Sequence, residues 1–225
     1  KGNMRAVLKN VVAVCEVDKD RLAAAAKVAD DAGVKVQTFG DYRKMLEMKD
    51  LDAVVLTTPD HWHALQTIDS CKAGKDVYCE KPLSLTIAEG KAMVAAAREH
   101  KRVVQTGSQQ RSDAKFRQAC ELVRNGAIGK ITEVKVGLPG PNFSGPAVAD
   151  SDPPAVLDYD LWLGPAPDRK YNAKHVHYLF RFFWDYSGGQ QTNFGAHHLD
   201  ITQWALGMDE SGPTYIEPSE VVFND

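Results

Sequence analysis

Between Val11 and Val136 the chain alternates short β-branched runs with longer segments of helical period, and no other feature constrains the fold as much. Strands and helices in this rhythm build βαβ units, which close as a parallel sheet with helices packed on its faces. Five strands are expected: Val11 to Cys15, Asp52 to Thr57, Asp76 to Cys79, Arg102 to Thr106, and a longer alternating run from Lys130 to Leu138. Helices are expected over Lys19 to Ala32, His61 to Ala73, Thr86 to His100 and Ser112 to Asn125. Thr86 and Glu89 have the spacing of a capping box, and Gly74 and Gly126 stand where helices should stop.

The pattern changes after Leu138. Seven of the eleven prolines (139, 141, 146, 153, 154, 165 and 167) fall within Pro139 to Pro167, a long irregular excursion. Loops of that length inside a compact protein are usually functional or disordered, and the embedded Leu157, Tyr159, Leu161, Trp162 and Leu163 argue that this one packs. Tyr178 to Tyr186 is dense in aromatics, a last helix should run from Gly195 to Leu206 before Gly207, and Tyr215 to Phe223 reads as a strand.

Composition excludes several classes. With 44% hydrophobic and 25% charged residues over 225 positions, a real core is expected. A net charge of -3 without a basic block leaves no footprint for phosphate backbones or anionic lipid, so nucleic acid is not an expected partner. No apolar run approaches the ~18 residues of a membrane helix, and Lys1 to Arg5 lacks a signal-peptide apolar region. Cys15, Cys71, Cys79 and Cys120 lie in apolar segments without Cys-x-x-Cys spacing, which reads as buried thiols and leans towards a reducing compartment. A nucleotide-binding α/β domain should open with a strand and a glycine-rich turn. Here Lys1-Gly2-Asn3 leads directly into Met4 to Lys9, so the expectation is an incomplete chain, with Gly2 as the last of those glycines.

Four places carry chemistry. Glu80-Lys81-Pro82 closes the run Asp76 to Cys79, which puts a lysine at the carboxyl end of a strand, where open α/β sheets bind ligands. Glu16 and Asp18 follow the run Val11 to Cys15, where an acid accepts hydrogen bonds from ribose hydroxyls; Glu16 is the better candidate and Asp18 caps the next helix. Thr57-Thr58-Pro59-Asp60-His61-Trp62-His63 spans a strand end and a helix start, which suits a phosphate or ribose. His61 and His63 also read as a His-x-His metal pair or as a helix cap with Trp62 packed, and no cysteine or carboxylate set of matching spacing supports the metal. Along Gly188 to Asp200, His197 and Asp200 share a helical face and Asn193 lies one turn earlier. The His197 imidazole is a candidate base for a hydroxyl proton, with a structural hydrogen-bonding role as the alternative, while His198 points elsewhere by about 100 degrees.

In order, these residues resemble the Gfo/Idh/MocA oxidoreductases. The likeness runs from Glu16 through Thr58-Pro59 and His63, Ala73-Gly74-Lys75, Glu80-Lys81-Pro82, Gln109-Gln110-Arg111 and Gly126-Ala127-Ile128-Gly129-Lys130 to His197-His198-Leu199-Asp200. The resemblance implies an α/β fold: a Rossmann-type doubly wound parallel sheet over residues 1–107, then an α/β domain over 108–225 with an open, mostly antiparallel sheet that often mediates homo-oligomerisation. It implies hydride transfer between a nicotinamide and a CH–OH carbon of a sugar, sugar acid or cyclitol. Lys81 and His197 would be catalytic, Asp200 would bind substrate or orient the site, and Asn193, Trp184 and Arg181 would meet the substrate. Glu16, Thr57, Thr58, Pro59, His63, Glu80, Lys81 and Gln109 would bind the cofactor, NAD rather than NADP because Glu16 repels a 2'-phosphate. His175, His177 and Tyr186 would line the pocket or belong to the core. The family commonly has an aspartate where this chain has Asn193. That departure keeps open a relative that cleaves glycosides by transient sugar oxidation with bound NAD. A non-catalytic nucleotide or sugar binder and a metal-dependent hydrolase are further alternatives. The compartment stays open between cytoplasm and folded export.

Overall fold

The computed structural model describes residues 2–140 and 146–218. Five short parallel strands carry the first half: β1 (Ala13–Cys15), β2 (Gln37–Phe39), β3 (Ala53–Leu56), β4 (Asp76–Glu80) and β5 (Val104–Gly107). β1 pairs with β2, and β3, β4 and β5 form a second ladder in that order, all in parallel. Parallel neighbours need crossovers, and helices supply them. α2 (Lys19–Asp30), α4 (Asp60–Lys72) and α5 (Ile87–Glu99) fall where the helical periods place them, while a short α1 (Gly2–Ala6) precedes β1.

The local chemistry behaves as expected at the helix starts. Asp18 caps α2 by accepting the N–H groups of Asp20 and Arg21. Thr86 and Glu89 complete a capping box on α5, with Thr86 N–H donating to Glu89 Oε2 at 2.8 Å and Glu89 N–H to Thr86 Oγ1 at 3.2 Å. Thr86→Ala is therefore expected to cost about 1 kcal/mol in a urea titration, and an unchanged midpoint would show that the box contributes nothing. The core of this half gathers Val54, Leu56, Ala64, Cys71, Val77, Cys79, Met93 and Ala96 between strands and helices.

Three expectations on elements need correction. β2 and the following α3 (Tyr42–Leu46) were not anticipated; β2 is three residues long with two of them exposed, so burial imprints little pattern on it. Lys130 to Leu138 forms no strand: no ladder partner stands beside it among the described residues, and Val134 and Val136 stay 47% and 36% exposed. Residues 215–218 are irregular, and the rest of the Tyr215 to Phe223 expectation lies outside the described residues, as do Lys1 and Pro141.

Beyond Gly107 the described residues form α6 (Ala114–Arg124), α7 (Tyr159–Leu163), α8 (Gly189–Asn193) and α9 (Gly195–Leu206), without a further strand. The expected antiparallel sheet has no counterpart among them. The proline-rich excursion does pack. Leu157, Tyr159, Trp162 and Leu163 join Tyr171, Val176, Phe180 and Tyr186 in a second core. Backbone bonds stitch this core to the first half: Asp158 N–H donates to Val17 O at 3.0 Å and Lys19 N–H to Val156 O at 2.9 Å. Trp62 Nε1–H donates to Trp162 O at 2.9 Å, and Gly164 lies against the Trp62 ring.

Candidate active site

Parallel strands of one ladder end at one edge, so β3, β4 and β5 deliver Thr57 to Pro59, Glu80 to Lys81, and Gln109 to the same side, while Glu16 follows the end of β1 in the other ladder. Lys81, ahead of the cis Lys81–Pro82 peptide, is half-buried. Its Nζ donates to the backbone O and the Oδ1 of Asn193, each at 2.8 Å. Burial lowers the pKa of this ammonium and Arg181 adds to the effect, while Asp60 and Glu80 oppose it.

His197, on the first turn of α9, belongs to the same cluster: burial depresses its imidazole and the Lys81 charge is the next cause. Its Nδ1 is buried with no hydrogen-bond partner among the described residues. His198 turns away and places Nδ1 2.9 Å from Gly137 O. Asn193 uses its Oδ1 towards Lys81 and donates Nδ2–H to Gln190 Oε1 at 2.9 Å. An amide accepts the lysine bond as a carboxylate would, without supplying charge.

Several expected ligand contacts prove to be internal. Glu80 Oε1 accepts Asn3 Nδ2–H at 2.5 Å and Gln109 Nε2–H at 2.6 Å, so Glu80 and Gln109 tie α1 and the turn after β5 to the strand edge. His63 is buried with Nδ1 2.7 Å from Pro82 O and Nε2 2.9 Å from Thr58 O. It therefore braces the Lys81 turn. Asp200 takes a two-bond fork from Arg111, 2.8 Å on each arm, and Arg111 also holds Asp209 at 2.7 Å. The Asp200 charge orients α9 and is not free for substrate. Trp184 is 82% exposed, Tyr186 is core, His175 packs on Phe183 at 4.1 Å, and His177 lies 3.7 Å from Asp18. Arg181 stacks over Tyr178 at 4.0 Å and stands close enough for its charge to act on both Lys81 and Asp60.

The sequence motifs include Asp60 and Arg111 but give neither a role, and Ser187 stands outside them. Each acts through a partner far along the chain, which no local motif reveals. His61 and His63 cannot pair on a metal as they stand, since His61 Nε2 faces Trp162 O at 3.1 Å and both nitrogens of His63 face carbonyls. Burial pushes His61 down to about 4, so it is a neutral ring near pH 7. Among the described residues no three His, Cys, Asp or Glu side chains gather as a metal site would require. No helix among them is long and apolar enough to cross a membrane.

The donor set fits a dinucleotide. Glu16 Oε1 accepts the N–H groups of Val17 and Asp18 at 2.9 and 3.3 Å, which fixes the carboxylate at the end of β1. Burial pushes that carboxyl up and the two N–H bonds hold it down. Thr57 is exposed, and Thr58 and Pro59 are half-buried at the end of β3. His197 Nδ1 and Gln110 Oε1 are buried without a hydrogen-bond partner among the described residues.

Fold and edge together define an α/β protein of the dinucleotide-binding Rossmann class. The family model described as the NAD-binding Rossmann fold of an oxidoreductase family matches residues 2–108, and its companion, the C-terminal alpha/beta domain, matches residues 142–221. The chain belongs to the Gfo/Idh/MocA oxidoreductases. It is 37% identical over 120 residues to inositol 2-dehydrogenase 3 of Saccharopolyspora erythraea, covering 53% of this chain and 34% of that one. To 1,5-anhydro-D-fructose reductase of Ensifer adhaerens it is 33% identical over 135 residues, 60% of this chain and 39% of that one. The crystal structure of an oxidoreductase domain protein from Kribbella flavida superimposes with a TM-score of 0.64 at 28% identity, covering 88% of this chain and 45% of that chain. The matched region thus spans well under half the length of these curated relatives.

Proposed function

We propose that the protein carrying this chain is an NAD-dependent oxidoreductase acting on a CH–OH group of a sugar, sugar acid or cyclitol, with the nucleotide on residues 1–107 and the substrate on residues 108–225. One observation carries the reading: the Lys81 ammonium and the unsatisfied His197 imidazole lie in one half-buried cluster at the carboxyl edge of the parallel strands. The names of the relatives, an inositol dehydrogenase and an anhydrofructose reductase, support a polyol or sugar as substrate.

Glu16, Thr57, Thr58 and Pro59 would hold the dinucleotide, whose nicotinamide supplies the hydride acceptor. The Glu16 carboxylate favours a ribose bearing a free 2'-hydroxyl over one bearing a phosphate, hence NAD over NADP. Lys81 hydrogen-bonds the substrate hydroxyl and lowers its pKa, because a cation stabilises the developing alkoxide. His197 takes the hydroxyl proton, and its burial keeps it neutral and ready to accept. Asn193 orients the ammonium, and Arg181, whose charge reaches Lys81, suits an acidic sugar.

A base must be neutral to act, and the His197 pKa lies below the ordinary value of 6.5. The acid limb of kcat/KM for NAD reduction is therefore expected below pH 6.5, with activity rising through it and none of that gain left above. Assays of NADH formation against polyols, sugar acids and cyclitols across pH 4.5 to 8 check this, a range of roughly two units either side of the histidine reference. A protein that binds NADH yet reduces no dinucleotide with any of the three classes would overturn the reading.

A further inference from the structure

We propose, resting on the role just given to Lys81, that Asp60 is a positioning residue: through Ser187 it holds the Gly188–Asn193 turn whose last residue, Asn193, hydrogen-bonds Lys81.

Asp60 is the first residue of α4, where an acid ordinarily caps the helix or stabilises its dipole in solvent. This one does not cap, and it stands out of solvent. No side chain caps α4, and Asp60 is 6% exposed. Its Oδ2 accepts the hydroxyl of Ser187, which is 2% exposed and 127 positions away in sequence. Ser187 Oγ lies 3.4 Å from Thr192 Oγ1, which accepts Gly188 N–H at 3.2 Å and donates to Gly189 O at 3.3 Å. The next residue is Asn193, whose two oxygens hold Lys81. A Cβ at Gly188 would stand 2.5 Å from Thr192 Cγ2, so the turn is packed as tightly as glycine permits. Asp60 and Lys81 thus grip α8 from two strand ends, β3 and β4.

Charge points the same way. The ionisable groups bearing on Lys81 are Asp60 from α4, Arg181 from the turn before α8, Glu80 from its own strand and His197 from α9. Asn193 is neutral, and Glu80 is already engaged by Asn3 and Gln109. Asp60 is the carboxylate with the larger effect on Lys81. Burial raises the Asp60 pKa, and Ser187, His63, Arg181 and Lys81 around it favour the anion against that burial, with the Cys79 thiol also near.

The test reads Lys81 directly and needs no substrate: trace acetylation of the folded protein with acetic anhydride, followed at Lys81 by mass spectrometry across pH. Asp60→Asn keeps shape and removes charge, so the midpoint moves to lower pH and labelling at neutral pH rises about threefold or more. Ser187→Ala gives a smaller rise, and Ser187→Thr restores the wild-type curve. In turnover, Asp60→Asn lowers kcat by roughly 10- to 100-fold while KM for NAD stays within about twofold. If Asp60→Asn fails to fold, the two Ser187 variants decide by the same curve. Wild-type midpoints in Asp60→Asn and Ser187→Ala overturn the proposal whatever the activity. Shifted midpoints in a protein with no oxidoreductase turnover leave the pair standing and remove only the functional reading.

Discussion

Lys81→Met is expected to lower kcat by about three to four orders of magnitude while the folded protein still binds NADH. Methionine preserves the unbranched stem and its packing and deletes only the charge. Three losses follow at once: the cation that would stabilise an alkoxide, the donor to both Asn193 oxygens, and the partner of the buried Asp60 charge. Circular dichroism and an NADH fluorescence titration separate chemistry from collapse. Turnover within tenfold of wild type would remove Lys81 from the mechanism. A regulator that merely retains the fold would keep its ligand response in this variant.

Gly164→Ala is expected to destabilise the protein by roughly 3–5 kcal/mol, from backbone strain and overpacking together. Gly164 closes α7 with φ 50 and ψ -118, a conformation that side chains rarely tolerate. A Cβ there would lie 2.0 Å from Trp62 Cζ2, with the indole already fixed by its bond to Trp162 O and by an edge contact with Tyr42 at 5.7 Å. The ring cannot swing aside without breaking one of these. Gly212→Ala, at an open site, serves as the control and should change the urea midpoint little. A Gly164→Ala midpoint equal to that control would mean that the ring relaxes freely.

Legibility followed the range of the interactions. The capping box at Thr86 and the stop of α9 at Gly207, φ 68, depend on residues within a turn of each other and were plain in the sequence. So was the Glu80-Lys81-Pro82 turn, because strand, cation and proline are contiguous. β2 was not, although Val34, Val36 and Thr38 alternate between Gly33 and Gly40, since its exposed positions carry Gln37 and Thr38 rather than apolar residues. Lys130 to Leu138 has the opposite fault: its alternation is strong, but a strand exists only beside a partner. The Arg111 fork on Asp200 spans 89 positions and the Ser187 bond on Asp60 spans 127, and sequence spacing carries no sign of either pairing.

The bonds joining residues 17–19 to 156–158, and Trp62 to Trp162, make the proline-rich excursion a structural strut rather than a spacer. Insertions are ordinarily tolerated in connections of such length. Here, adding or removing a residue between Val156 and Gly164 would drag the acid after β1 and the start of α4 out of register together. Length variation in this lineage should consequently fall outside that window, and a chimera spliced inside it would inherit a misaligned nucleotide edge.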